Sequence, residues 1–251
     1  MAKLAWRSTS KPLPPTSGAR TTYTAKATSR AKQSTSSHTA PTRQMSNDQT
    51  RTAYSKLSRA YIDHLGHIDS VAPADTAFIA AAFRGINGSI LDAGCGPGHL
   101  TDFLAGIGHD SRGVDLVPEF IAHARQTYPH LDFTLGDLTQ LDALNHSLGG
   151  VLAWYSLIHM SDDTLHSALA EFRRVLLPGG VLTIGAFHAD VRTPFAHKVT
   201  PAIARSQEEL RTLLVRFGFQ PIRWEIRPAT KEQRAHISVM ATSSKPHAAV
   251  I

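Results

Sequence analysis

The sequence predicts an α/β fold in which seven mostly parallel strands carry helices on both faces. Three observations support this fold class. Short apolar runs alternate with longer amphipathic stretches from residue 89 to residue 241, as in strand–helix–strand units. A glycine-rich segment follows the first apolar run and opens a helix. The last two runs have only a short connection between them, which predicts an antiparallel hairpin and an antiparallel edge strand. Such a sheet is Rossmann-like.

The elements follow in order along the chain. Two helices are predicted first, at 48–66 and 75–83, the second after Pro73. Pro178-Gly179-Gly180 predicts a turn that ends one of the later helices before the fifth strand. The remaining helices are predicted at 98–107, 118–127, 162–175 and 206–217. The strands are predicted at 89–94, 111–116, 131–135, 149–155, 180–187, 219–226 and 234–241.

Composition limits the class of protein. The chain has 251 residues, 42% of them hydrophobic, which suits one domain with an appendage. A single cysteine excludes a disulfide framework and fits a reducing, cytoplasmic location. No run approaches the roughly 18 apolar residues that span a membrane. The net charge of +6 arises from residues 1–47, which hold eight basic and no acidic residues, so the rest is slightly acidic. We therefore expect no nucleic-acid or membrane partner.

Three regions are predicted. Residues 1–47 form a basic tail rich in Ser and Thr, which we expect to be disordered because it has little apolar surface to bury. Residues 48–243 form the folded domain, and 244–251 a flexible C-terminus. Three explanations of the tail stay open: a targeting peptide, a basic arm for an anionic partner, or an upstream extension before a natural start at Met45.

The segment Ile90–Leu100 predicts a buried strand, a loop and the start of a helix. Gly94, Gly96 and Gly98 let the backbone pass close to a ligand, and the helix presents free N–H groups to it. A dinucleotide-binding fingerprint would place its third glycine at position 99, where His99 stands. The spacing resembles motif I of the class I S-adenosylmethionine (SAM) methyltransferases.

This resemblance covers nearly all of 50–241 and includes the string Glu171–Gly180. The run Trp154–His159 is similar to small bacterial, especially actinobacterial, methyltransferases, a group that implies no particular substrate. The resemblance implies SAM as cofactor. It implies these binding residues: Asp92, Gly94, Cys95, Gly96, Gly98, Asp115, Leu116, Asp137, Leu138, Trp154 and Tyr61.

Each implied contact has a chemical reason. Asp115 can accept both ribose hydroxyls, and Asp137 the exocyclic amine of adenine. Leu138 and Trp154 would cover the adenine, and Tyr61 would face the sulfonium or the carboxylate of SAM. An alternative stays open for the two acids, because each could instead cap the helix or turn that follows it.

His159 is the candidate general base, since it follows the fourth strand, and Tyr155 is a candidate for orienting the substrate. His159 could instead make a polar contact at the start of a helix, and Tyr155 could instead belong to the core. His188 is a weaker candidate base, and Tyr54 is assigned to helix packing. No metal site is predicted.

The sequence lacks the Asn/Asp-Pro-Pro-Tyr string of enzymes that methylate amino groups of DNA and protein glutamine. Cys95 lies within the loop, where it suits a small space-filling role better than that of a nucleophile. These absences favour a small-molecule methyl acceptor, with the segment 189–206 as a substrate-side loop. A non-catalytic SAM-binding protein and an NAD-dependent oxidoreductase are the alternatives. The sequence implies no oligomeric state.

Overall fold

The computed structural model describes residues 46–244. Residues 1–45 of the predicted tail (1–47) and residues 245–251 lie outside the described residues, while Ser46 and Asn47 form the start of the first helix. The helices are α1 (Asn47–Leu65), α2 (Pro73–Phe83), α3 (His99–Gly106), α4 (Pro118–Thr127), α5 (Asp162–Val175) and α6 (Gln207–Arg216), with a 3₁₀ turn at Ile68–Ser70. The strands are β1 (Ile90–Ala93), β2 (Ser111–Asp115), β3 (Asp132–Leu135), β4 (Leu148–Trp154), β5 (Leu176–Phe187), β6 (Thr193–Phe195), β7 (Ala202–Ala204), β8 (Phe219–Arg227) and β9 (His236–Ser243).

Seven strands form one sheet in the order β3-β2-β1-β4-β5-β9-β8. Strand β9 is antiparallel to both of its neighbours, and every other pair is parallel. The predicted fold class is therefore confirmed. The hairpin of β8 and β9 places the antiparallel strand one position inside the edge. Strand order reverses between β1 and β4, and in such sheets ligands bind beyond the carboxyl ends of the strands at this point.

The core fills both faces of the sheet because side chains alternate along each strand. In β4, Val151 and Ala153 join the cluster that α5 and α6 complete. Leu152 and Trp154 face the opposite cluster, which Phe78 and Phe83 of α2 share with residues of α3. A third cluster packs α4 against β3. The strand ends are thereby held in fixed register.

Helix starts follow local capping chemistry. The Ser46 hydroxyl accepts from the Gln49 N–H, and the Gln49 side chain accepts from the Ser46 N–H, so α1 begins in a capping box. Ser161 and Ser206 cap α5 and α6 by a single hydrogen bond each, in which the serine hydroxyl accepts the N–H of Thr164 or of Glu209. Among the described residues, no helix has the length and apolar character needed to cross a membrane.

Two segments differ from their predicted form. Pro178-Gly179-Gly180 lies within β5 and not in a turn before it. Leu176 pairs with Leu148 of β4, and the next pair is Val181 with Gly150, so β5 advances five residues while β4 advances two. The expected turn is therefore a bulge in the strand. Gly179 has a φ of 82°, which the bulge requires. The segment 189–206 is more ordered than a loop, because β6 pairs with β7 in a two-stranded hairpin.

Candidate active site

The glycine loop joins β1 to α3 with positive φ angles of 82°, 54° and 94° at Gly94, Gly96 and Gly98. A Cβ atom at Gly94 would lie 2.2 Å from the Cβ of Ser156, and one at Gly98 would lie 2.9 Å from the ring of Phe133. A Cβ at Gly96 would meet nothing within 4 Å. The outer two glycines therefore serve packing within the protein, and Gly96 alone faces open space that a ligand can fill.

The N–H groups of the loop are already bound inside the protein. Those of Gly94 and Cys95 donate to the Val114 carbonyl, and that of Gly98 to the Cys95 carbonyl. The Gly96 N–H donates to the Asp115 carboxylate at 2.8 Å. The expectation that the loop offers free N–H groups therefore has to be restricted to the first turn of α3, where helix geometry leaves such groups unpaired.

Asp115 ends β2 beside this loop and is only 9% exposed. Its second carboxylate oxygen accepts the Val117 N–H at 2.8 Å. Burial raises the pKa of Asp115 to about 6, while the backbone hydrogen bonds oppose that rise. Each oxygen has used one of its two lone pairs, so each can accept one further hydrogen bond. A pair of adjacent hydroxyls fits this carboxylate.

Asp137 follows β3, and both of its carboxylate oxygens accept hydrogen bonds from other residues of the protein. One oxygen accepts the backbone N–H and the hydroxyl of Thr139, at 2.9 and 2.8 Å. The other accepts the amide of Asn47, in the first turn of α1, at 2.7 Å. The turn-capping alternative is thus observed, and the second oxygen is the one positioned for an external amine. Leu138 lies in the core, away from such a ligand, and Leu116 is half-buried.

Asp92 and Cys95 serve the interior of the domain. The Asp92 carboxyl is 1% exposed and accepts the Thr101 hydroxyl at 2.7 Å. Burial raises the pKa of Asp92 to about 7. The Cys95 thiol packs with Ile121 and Phe133, and burial raises its pKa well above the usual value. This is the predicted space-filling position, because a buried neutral thiol is a poor nucleophile.

Helix α1 covers the ends of β1 and β2 with two tyrosines. Tyr61 stacks on Phe120 at 5.1 Å between ring centroids. Burial raises the pKa of Tyr61 to about 12, and the nearby Asp115 charge adds to that rise. Tyr54 lies two turns earlier on the same face, 5.8 Å from Tyr61. The structure therefore brings two of the predicted residues, Tyr61 and Asp115, together.

His159 lies beyond β4 and is 7% exposed. Its Nδ1 is 2.9 Å from the Pro201 carbonyl, which can only accept, so Nδ1 carries the proton. Nε2 is therefore a lone-pair acceptor, and the Tyr54 hydroxyl donates to it at 3.0 Å. Burial lowers the pKa of His159, which keeps the ring neutral. Tyr54, assigned to packing from its sequence, is thus a hydrogen-bonding member of the site.

An aromatic wall continues from His159 toward the β6–β7 hairpin. The His197 ring lies 5.1 Å from that of His159. The wall then continues through Phe187 and Phe195, whose rings meet edge to face at 5.1 Å. His188, the weaker candidate base, turns its Nδ1 to the Arg205 carbonyl at 3.3 Å and shows no contact with His159. Planar apolar groups fit such a wall.

Trp154 and Tyr155 point to a different part of the sheet edge. The Trp154 ring packs on Phe78 and on His236, and a Cβ at Gly185 would overlap it, so this indole belongs to the core. The alternation of side chains along β4 turns Trp154 toward α2, and its expected contact with adenine stays a prediction. The Tyr155 hydroxyl contacts His236 Nδ1 at 2.6 Å.

A cleft of about 630 Å³ lies at the opposite edge of the sheet, near the starts of β2 and β4. It is bounded by residues such as Arg112, Asp142 and Arg174, and it contains none of the predicted site residues. In the part of the chain that the structure describes, no group of three or more His, Cys, Asp or Glu side chains could hold a metal ion.

Comparison with known proteins agrees with this geometry. Residues 90–180 match the family model described as a methyltransferase domain. A probable S-adenosylmethionine-dependent methyltransferase of Mycolicibacterium smegmatis is 32% identical over 103 residues, which are 41% of this chain and 39% of that relative. The O-methyltransferase cnsE of Penicillium expansum is 33% identical over 162 residues, 57% of each chain. The chain thus spans between about two fifths and three fifths of the length of these curated relatives.

Solved structures share the fold. The 1,6-didemethyltoxoflavin-N1-methyltransferase of Burkholderia thailandensis, with bound S-adenosylhomocysteine, matches with a TM-score of 0.65 at 23% identity, covering 80% of this chain and 92% of that one. The [4+2]-cyclase SpnF matches with a TM-score of 0.68 at 17% identity, covering 81% and 98%. Residues 90–180 are thus similar to a methyltransferase domain, and the fold is shared with S-adenosylmethionine-dependent methyltransferases of known structure.

Proposed function

We propose that this protein transfers the methyl group of SAM to a small-molecule acceptor. The observation that carries the proposal is the arrangement at three adjacent strand ends. Gly96 faces open space beyond β1, the Asp115 carboxylate beyond β2 holds the Gly96 N–H at 2.8 Å, and Asp137 follows β3. This is the edge at which open α/β sheets bind ligands.

The residues fit SAM part by part. The Cβ-free surface of Gly96 leaves room for the amino-acid and sulfonium end, and the two free lone pairs of Asp115 suit the ribose hydroxyls. The outer oxygen of Asp137 suits the adenine amine, in the place that the Asn47 amide now occupies. Tyr61 would lie over the ribose. When bound, SAM supplies an electrophilic methyl group on a sulfonium.

His159 is the residue we assign to the acceptor's proton. Its Nε2 is an unprotonated acceptor because Nδ1 donates to the Pro201 carbonyl. The Tyr54 hydroxyl is the present donor to that atom, so an acceptor hydroxyl would replace Tyr54 or be bridged by it. The remaining contribution to rate would come from orientation in a site that excludes water.

The small size of the segments that lie over the proposed site favours a small acceptor. The chain between β5 and α6 forms only a short hairpin, and α1 packs over Phe120 on the other side. Five of the relatives have O-methyltransferase in their names, three of them for malonyl-[acyl-carrier protein], and these names agree with a base placed to receive a hydroxyl proton. The second candidate is a SAM-binding role without methyl transfer, because the fold also occurs in a protein named for a different reaction, the [4+2]-cyclase SpnF.

Calorimetric titration of the full chain with SAM, with NAD as the comparison, tests the proposal first. We expect SAM to bind in the micromolar range and NAD to show no heat of binding. A screen of small hydroxylated and amino compounds with labelled SAM then tests turnover. Binding of NAD in place of SAM would overturn the methyltransferase proposal. SAM binding without transfer to any acceptor class would favour the second candidate.

A further inference from the structure

A second polar cluster, formed by Asp75, Tyr155, Arg227 and His236, lies beside the aromatic wall and is not used by the mechanism above. It gathers the start of α2, the end of β4, the end of β8 and the start of β9. Asp75 is 7% exposed and His236 is 4% exposed. Arg227 forms an ion pair with Asp75. These buried ionisable groups occupy the same edge of the sheet as the glycine loop.

The proton of the Tyr155 hydroxyl is committed to His236. His236 Nε2 has no hydrogen-bond partner and faces an Asp75 carboxylate oxygen at 3.8 Å, which attracts an N–H and repels a lone pair. His236 is therefore protonated on Nε2, and its Nδ1 accepts the Tyr155 O–H at 2.6 Å. Burial lowers the pKa of His236 to about 4, so this neutral form persists at neutral pH.

Tyr155 is also held in an unusual backbone conformation. Its φ is 57°, in the left-handed region that non-glycine residues rarely adopt. Its N–H donates to the Gly185 carbonyl at 2.9 Å, and the next residue, Ser156, abuts Gly94 of the cofactor loop. Strain of this kind persists where the surrounding structure imposes it, and it concentrates at functional sites. The half-buried Tyr155 ring lies between Phe187, at 4.9 Å, and His236, at 5.5 Å between ring centroids.

We propose that Tyr155 selects aromatic acceptors that carry on the ring an O–H or N–H donor other than the proton that His159 receives, with His236 and Asp75 as positioning residues that fix the direction of the Tyr155 proton. Because its own proton is used, the phenol oxygen can only accept a hydrogen bond from a ligand. Phe187 and Phe195 supply the wall for the ring. This inference rests on the proposed function, since it names the class of its acceptor.

The test compares three probes of similar size: phenol and aniline, which have a donor, and anisole, which has an oxygen but no donor. Their dissociation constants are measured by NMR titration of the full chain, with and without S-adenosylhomocysteine. We expect the wild type to bind phenol and aniline about five- to tenfold more tightly than anisole. Tyr155→Phe should remove that preference and leave anisole binding unchanged.

The His236 variants separate positioning from folding. In His236→Asn the side chain retains an acceptor near the Nδ1 position, so the preference for phenol should persist. In His236→Leu the Tyr155 proton is released, so the Tyr155 hydroxyl can donate to the oxygen of anisole. The difference in affinity between phenol and anisole should then become smaller. Nitrogen chemical shifts of His236 should report the Nε2–H tautomer in the wild type and a shift at Nδ1 in Tyr155→Phe.

Equal binding of phenol and anisole to the wild type, no detectable phenol binding, or equal weakening of both probes by Tyr155→Phe would each overturn the inference. Titration of S-adenosylhomocysteine into the same samples tests the proposed function separately. If that ligand fails to bind, the proposed function is contradicted. The probe series without S-adenosylhomocysteine still decides the role of Tyr155.

Discussion

Tyr54 and His159 are joined by a hydrogen bond of 3.0 Å across 105 residues of sequence. The bond connects the first helix of the domain to the segment that follows β4, and it occupies the one unprotonated nitrogen of His159. A second link of the same helix, from Asn47 to Asp137, measures 2.7 Å. Helix α1 thus contacts both the proposed base and the acid proposed to bind adenine.

Removal of the Asp115 carboxylate should weaken SAM binding. We expect Asp115→Ala to cost about 1.5–3 kcal/mol, because charged hydrogen bonds to the ribose are lost together with the anchor of the Gly96 N–H. Calorimetry measures the change, with Asp132→Ala as the matched control, since Asp132 is an exposed acid on the neighbouring strand. Wild-type affinity in Asp115→Ala would contradict the placement of the ribose.

Alanine at Gly94 and at Gly96 should have different consequences. At Gly94 the new Cβ would overlap Ser156, so we expect a loss of several kcal/mol in the free energy of unfolding. At Gly96 there is space for a methyl group, and the expected stability loss is only about 1 kcal/mol for the left-handed conformation. Gly96→Ala should instead weaken SAM binding about tenfold or more. Urea denaturation and calorimetry measure the two effects, and a reversed pattern would refute the assignment.

His159→Gln should separate cofactor binding from turnover. With an acceptor that the wild type methylates, we expect turnover to fall on the order of 10²-fold, as for the loss of a general base. The dissociation constant of SAM should remain unchanged. His130→Gln is the control, because the His130 side chain is 62% exposed and has no proposed role in the site. Undiminished turnover in His159→Gln would exclude the residue as the base.

The pH dependence of turnover should have its acid limb below the ordinary histidine value. Burial lowers the pKa of His159 from 6.5, and only the neutral ring accepts a proton. At saturating SAM we therefore expect kcat to be constant above about pH 7 and to fall as pH decreases through the lowered pKa. An acid limb centred above pH 6.5 would point to a different group.

Asp92 should make the domain less stable at neutral pH than at mildly acidic pH. Burial raises its pKa to about 7 in the fold, against an ordinary value of 3.8, so the folded state binds the extra proton between these values. The free energy of unfolding should then decrease as pH rises from about 4 to 7. Asp92→Asn keeps the size of the side chain and should raise stability at pH 8 by about 2–4 kcal/mol. Urea denaturation checks this, with the exposed Asp142→Asn as control, and an unstabilised Asp92→Asn would contradict it.

Much of the fold followed from local patterns. The alternation of apolar runs, the capping serines and the glycine loop each act over a few residues, so helices and strands fell within a few positions of their predicted bounds. The resemblance named Tyr61 and Asp115 separately as binding residues, but it did not predict that they lie close together. The role of Tyr54 was not predicted, because its partner is 105 residues away and helical spacing alone cannot distinguish a packing face from a site face.

The Tyr155 cluster lay beyond sequence reasoning for the same reason. Asp75 and Arg227 are separated by 152 residues and meet only because α2 begins where β8 ends. The packing of Trp154 against Phe78 was not predicted either, because it depends on the two-residue alternation of β4 and on the position of α2. The close contacts of Gly94 and Gly98 depend on which side chains pack against them. The spacing of glycines in the sequence does not specify those side chains.

Strand β8 closes one side of the seven-stranded sheet, and its outer row of backbone groups is the place where a foreign strand could add. Pro221 has no N–H to offer, and the ladder to β9 slips by one residue just after it, at Ile222. Arg223, Glu225 and Arg227 follow at alternate positions. Charges and an irregular ladder are features that discourage edge-to-edge association. The β8 edge of the sheet therefore disfavours pairing with a strand of another molecule, which would lead to aggregation.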